Sequence, residues 1–260
     1  SELSGKTLGV IGLGRIGRNA DGTVAAFSSQ RIVGFRKPDD MLAYVQSNLD
    51  SWVAGDGAAD NAAGSAIVME AARILATLGV HPKRTIRFAL WAGEEQGLYG
   101  SMNYVERHLG KRAPTGDPEI DNAGSFTSSR VAFPIIPQAG FHDMKAYFNI
   151  DNGSGKLRGL YAEGNFAAVP VLKGWLSPLS SLDASAVVAN PTGSTDHVGM
   201  VRLGLPAFQF IQDPLDYEST VHHSSVDSFD HLRADDLRQA SAVLASVLLS
   251  AANSDKNVPA

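Results

Sequence analysis

Short apolar runs recur along this chain and are separated by stretches of helical periodicity, and that alternation restricts the fold more than any other feature. "TLGVIG", "QRIVGF", "MLAYV", "TIRFALWA", "KAYFNI", "LRGLYAE", "ASAVVA" and "LPAFQFI" read as strands. Ala62 to Leu78, Tyr99 to Leu109, Ala167 to Leu179 and Ala234 to Ala252 read as helices. Strands spaced by helices imply a twisted sheet covered on both faces. The expectation is an α/β fold, a three-layer α/β/α sandwich with a mixed central sheet, forming a single domain over residues 1–260. In such sheets ligands gather beyond the strand ends.

The bulk properties narrow the partners. At 260 residues and 44% hydrophobic content the chain can bury a substantial core. A net charge of −5 argues against an electrostatic grip on nucleic acid or an anionic membrane, and favours a small or peptide-like partner. There is no cysteine, so a metal site must draw on His, Asp and Glu. No apolar run approaches the ~20 residues that span a bilayer, and Ser1 opens no signal-like segment, so a soluble chain is expected. Lys111 to Phe141 concentrates Pro, Gly, Ser and Asp without a period and reads as a long surface excursion, a candidate wall of a substrate cleft.

Two signals compete for the chemistry. Gly12, Gly14 and Gly17 follow an apolar run in the pattern of a strand, a glycine turn and a helix start that receives a pyrophosphate. Residues 2–36 resemble the first βαβ unit of D-2-hydroxyacid dehydrogenases. Against a nicotinamide cofactor stand "NADGT", poor in helix formers, and Arg36 where a ribose-binding acid is expected. An NADP-like reading keeps Arg36 for a 2'-phosphate.

The second signal is a set of acids and histidines at strand ends: Asp60 in "GAADNAAG", Glu94 and Glu95 in "WAGEEQG", Asp151 in "NIDNGSG", and His222 and His223 in "VHHSSVDS". Each has a plain structural alternative. Asp60 suits a helix N-cap, the glutamates a solvated turn, Asp151 a turn, the histidines a surface. Together they suit a divalent ion, which accepts imidazole nitrogen and carboxylate oxygen and activates water. Asp60, short and fixed at a helix start, suits a bridge between two ions, and of two consecutive glutamates one can ligate while the other acts as a base.

From about Pro38 onward, "GDGAADNAAG", "TIRFALWAGEEQGLYGS", "AYFNIDNGSGKLRGLYAEGN", "TGSTDHVGM", "GLPAFQFIQDPLDYES" and "VHHSSVDSFDHL" resemble the zinc peptidases of family twenty-eight, the carboxypeptidase Q and leucyl aminopeptidase group. The resemblance implies an exopeptidase or dipeptidase with one or two zinc ions and a peptide or dipeptide substrate. Asp60 would bridge the ions, Glu95 and His223 would complete one, Asp151 would serve the other, and Glu94 would be the general base. Asp50, Asp196, His197 and Tyr217 would support the ligands or the substrate, with a helix N-cap as the alternative for Asp196. A secreted or periplasmic location is also implied.

The chain departs from the family at two points. Asn48 stands in "NLDSW" where relatives carry a zinc-binding histidine, and an amide oxygen binds zinc poorly beside imidazole. Asp50, which in relatives supports that histidine, loses its apparent task. A one-zinc enzyme with weakened hydrolysis and a catalytically inactive binding protein both follow from this change. Residues 1–37 also differ, a dehydrogenase-like segment that is native, fused or engineered.

Overall fold

The computed structural model describes residues 50–118 and 134–259, together with the backbone of the strands β1 (Gly17–Arg18), β2 (Val24–Ala25), β3 (Val33–Gly34) and β4 (Met41–Asn48). After β4 come α1 (Ala63–Thr77), β5 (Thr85–Trp91) and α2 (Tyr99–Tyr104). The strands β6 (Gly110–Arg112) and β7 (Ile135–Pro137) pair antiparallel. Then follow β8 (Ala146–Asn149), β9 (Leu157–Tyr161), α3 (Val169–Leu176), β10 (Ala186–Val188), α4 (Val198–Arg202), β11 (Ala207–Gln212) and α5 (Ala234–Asn253).

Seven strands form one sheet in the order β10-β9-β11-β8-β4-β5-β3. The pairs β4–β5, β4–β8, β8–β11 and β9–β10 are parallel, while β9–β11 and β3–β5 are antiparallel. The sheet is therefore mixed, and β4, β5, β8 and β11 all end on the same side.

Side-chain alternation along these strands sets the layers. Ile86, Phe88 and Leu90 of β5, Phe148 of β8, and Phe208 and Phe210 of β11 point to one face. There they meet Ile67, Val68 and Ala71 of α1, Leu172 and Leu176 of α3, and Val243, Leu244, Val247 and Leu248 of α5. The intervening residues Ala89, Trp91, Tyr147 and Ala207 point to the opposite face, against Tyr104 of α2 and Met200 of α4. Burial on α1 recurs at Ile67, Val68, Ala71, Ala72 and Leu75, one stripe of a 3.6-residue period. The outcome is the expected α/β/α sandwich.

Two sequence expectations are refined by the structure. The Lys111 to Phe141 stretch carries most of the antiparallel β6–β7 pair; residues 119–133 lie outside the described residues. In the glycine loop, Gly12, Gly14 and Arg36 also lie outside them. Gly17–Arg18 is a strand antiparallel to Val24–Ala25, where the dinucleotide-binding reading requires the first turn of a helix. Asn, Asp and Gly between the two segments favour that hairpin over a helix.

Close approach between β9 and β10 depends on Gly159. In parallel register with Ala186, a Cβ at 159 would lie 1.8 Å from the Ala186 carbonyl oxygen. Gly174, exposed on α3, has nothing within 4 Å of such a Cβ. Gly159→Ala is therefore expected to lower stability by about 1–3 kcal/mol through overpacking. Gly174→Ala is expected to raise it by roughly 0.5–1 kcal/mol through helix propensity. Urea denaturation midpoints check both, and shifts of the same sign would contradict the packing account.

Candidate metal centre

The loops leaving β4, β5, β8 and β11 meet at the C-terminal edge of the sheet around a cleft of about 470 Å³. Asp60 arrives on the β4–α1 loop, Glu94 and Glu95 just past β5, Asp151 just past β8, and His222 and His223 on the segment after β11, and all six line the cleft. Gly57 opens the Asp60 turn at φ 69, with Ser51 so close that a Cβ would fall 2.1 Å from the Ser51 Cβ. Asp60 and Asn61 have non-helical φ/ψ, and the peptide between them is cis. Asn61, not Asp60, caps α1: its Oδ1 accepts the Gly64 N–H at 3.0 Å. Asp60 is thereby left to face the cleft.

Three ligand atoms lie close together. His223 Nε2 is 3.0 Å from Glu95 Oε2 and 3.5 Å from Asp60 Oδ2, and His222 Nε2 is 3.9 Å from Asp60 Oδ2. A tetrahedral zinc with bonds of about 2.0–2.1 Å has ligand-to-ligand edges of about 3.3 Å. His223 stands near that spacing from both Asp60 and Glu95, and the ligand atoms of Asp60, His222 and His223 all lie within 4.8 Å of one another. His223 takes φ 55, a left-handed conformation that costs a non-glycine residue roughly 1–2 kcal/mol. Its ring is fixed between Trp52, stacked at 4.4 Å, and His222, stacked at 3.8 Å.

Charge is unbalanced at this point. Burial, then Asp60 and Asp50, push Glu95 up to about 8. Burial, then Asp151 and Asp196, push Glu94 up to about 10. Asp151 is raised by burial and then by Asp60. Asp60 is raised by burial although both imidazoles pull the other way. Asp60 Oδ2 and Glu95 Oε1 accept no hydrogen bond from any described residue. Buried carboxylates in this state either bind protons or need a cation. Burial, then His222, hold His223 low, which favours the neutral imidazole that ligates metal. The donor set fits a divalent ion of zinc's chemistry.

Other predicted residues have different surroundings from those expected. Asp50 is not idle: its two carboxylate oxygens accept the backbone N–H groups of Glu94 and Glu95, both at 3.2 Å. Asn48 ends β4 in register with Trp91; its side chain lies outside the described residues. Asp151 accepts from Asn61 Nδ2 at 2.8 Å and from the Thr195 hydroxyl, so both its oxygens are engaged. Tyr217, buried, lines the cleft with Asp60, and burial, then Asp60, push its hydroxyl up. Asp196 is fully buried and immediately precedes His197, the N-cap position of α4.

His197 does not line the cleft. It is fully buried, with Nε2 3.3 Å from Glu163 and 3.2 Å from the Thr192 hydroxyl, so it braces the loop rather than the substrate. Thr195 and Asp227 were not foreseen. The Thr195 hydroxyl orients Asp151, and Asp227 accepts the backbone N–H groups of Ala59 and Asp60. The "STDH" and "HSSVDS" stretches contain them, but nothing in their spacing distinguishes them from ordinary loop residues.

Comparison with known proteins agrees with this geometry. The pattern of peptidase family M28 matches residues 32–248. Carboxypeptidase Q from Mus musculus is 28% identical over 228 residues, covering 88% of this chain and 42% of its own length. Aminopeptidase YwaD from Bacillus subtilis (strain 168) is 25% identical over 235 residues, covering 88% and 46%. A solved peptidase M28 precursor from Shewanella amazonensis SB2B superposes with a TM-score of 0.68 at 26% identity, covering 88% of this chain and 46% of that one. The chain spans less than half the length of these curated relatives. A sandwich with acids and histidines gathered at its parallel strand ends, and a family match over residues 32–248, together show that the chain belongs to peptidase family M28.

Proposed function

We propose that this chain is a zinc-dependent exopeptidase that hydrolyses short peptides at a free end. The observation that carries this reading is the place of His223 Nε2, 3.5 Å from Asp60 Oδ2 and 3.0 Å from Glu95 Oε2, both near a tetrahedral edge distance. These three would hold one ion. Asp151 is the remaining acid for a second, with Asn61 and Thr195 orienting its oxygens, but Asn48 stands where relatives carry an imidazole. That substitution weakens the second position and favours a single-ion enzyme. Zinc held there supplies Lewis acidity to the scissile carbonyl and lowers the pKa of water.

The protein's own groups do the rest. Glu94 lines the cleft beside the ligand cluster, and Asp50 fixes its backbone. Its carboxyl, pushed up to about 10 by burial and then by Asp151 and Asp196, would fall toward the range where it accepts a proton at neutral pH once a cation is held beside it. Glu94 takes that proton from the attacking water and passes it to the departing amine. Tyr217 lines the same cleft as Asp60 and is placed to support the ligand or the substrate.

Substrate polarity follows from the lining. Asp60, Glu94, Glu95, Asp151 and Glu218 give the cleft five acidic side chains. More negative charge is present than one divalent ion neutralises, and the surplus attracts an α-ammonium group. The free end recognised is the amino end, as the name of the Bacillus relative states for that protein.

Two measurements test this reading. Glu94→Gln is expected to lower kcat by about 10²–10⁴-fold, the contribution of a general base, while bound zinc is unchanged; wild-type turnover in this variant would remove Glu94 from its role. A dipeptide amide with a free amine is expected to be cleaved with kcat/KM at least about tenfold above its N-acetylated free-acid counterpart. The opposite preference would assign recognition to the carboxyl end.

A further inference from the structure

Asp227 has no part in the roles above, yet it is 3% exposed and sits directly behind the ligand loop. Its Oδ1 accepts the Ala59 N–H at 2.7 Å and its Oδ2 accepts the Asp60 N–H at 3.0 Å. Those amides belong to a turn with non-helical φ/ψ just ahead of α1, where N–H groups have no carbonyl partner within the helix. One carboxylate satisfies both. The contact joins residues 168 positions apart in sequence.

The location of Asp227 matters as much as its bonds. It lies four residues beyond His223, so a single short segment supplies an imidazole to the centre and also holds the backbone of the opposing Asp60. The Ser224 carbonyl and the Asp227 Cβ are packed against Gly55, with a Cβ at 55 falling 2.5 Å and 3.3 Å from them, so the segment has little room to shift. A neutral acceptor would hold the turn without adding negative charge, whereas Asp227 raises Asp60 further. Two charge-assisted bonds from one rigid group offset that repulsion.

We propose that Asp227 is a positioning residue for the metal centre, fixing the distance between Asp60 and His223 before an ion binds. This rests on the metallopeptidase reading. Loss of the grip lets the Ala59–Asp60 backbone rotate, and Asp60 Oδ2 leaves the 3.5 Å separation from His223 Nε2. Outer-shell partners of this kind are worth about 10–100-fold in metal affinity.

The test is zinc affinity of the full chain by chelator competition, with thermal unfolding of the metal-free protein alongside. Asp227→Ala is expected to weaken zinc about 10–100-fold. Asp227→Asn, which keeps one acceptor oxygen, is expected to lose less. Leu248→Ala, in the α5 core remote from the cleft, is a control that lowers stability without touching the centre. If Asp227→Asn and Asp227→Ala bind zinc as the wild type does, the positioning role is overturned while the peptidase reading stands. If the Leu248→Ala control loses zinc affinity to the same extent as the Asp227 variants, general destabilisation is the cause and the proposal falls. If the wild type itself binds no zinc, the peptidase reading fails and this proposal with it.

Discussion

Buried carboxylates that cannot all keep their charge are the constraint on which the cleft depends. Asp60, Glu94, Glu95 and Asp151 come from three separate loops, and burial drives each toward its protonated form. Folding brings them together only because the parallel strands β4, β5 and β8 end on the same side of one sheet. The hydrophobic faces above and below that sheet hold the ends in register. The cost of gathering the acids is thus met by the packing of Phe148, Phe208 and Phe210 and their neighbours, and is relieved when a cation enters.

Around the acids the protein uses backbone amides as anchors. Asp50 holds the N–H groups of Glu94 and Glu95, and Asp227 holds those of Ala59 and Asp60. Both anchors act on the main chain, so the side chains of the held residues remain turned to the cleft. His223, gripped between Trp52 and His222 at a left-handed φ, is fixed by stacking instead. Rigid preparation of this kind reduces what must be ordered when an ion binds.

Much of this was legible in the sequence. The strand runs and helical stripes predicted the sandwich because each strand is apolar on both faces, a pattern that only two covering layers satisfy. Asp60, Glu94, Glu95 and Asp151 stood out because each lies beside a strand end or a helix start with glycine close by, and His223 as one of an adjacent histidine pair. What the sequence hid is contact between distant segments. Asn61 rather than Asp60 caps α1, Thr195 occupies Asp151, His197 joins Glu163 away from the cleft, and Asp50 serves two amides. The last three depend on a partner tens of residues away, which spacing does not encode, and the Asn61 cap on Gly64, though local, depends on a rotamer.

We propose that Asp60, Glu95 and His223 share one ion, because His223 stands 3.5 Å from Asp60 and 3.0 Å from Glu95. Crystals of the zinc-loaded protein, measured above and below the zinc absorption edge, test it directly. The account predicts one strong anomalous peak equidistant from Asp60 Oδ2, Glu95 Oε2 and His223 Nε2 at about 2.0–2.2 Å from each. A peak elsewhere, or none in zinc-soaked crystals with these three side chains ordered, would contradict it.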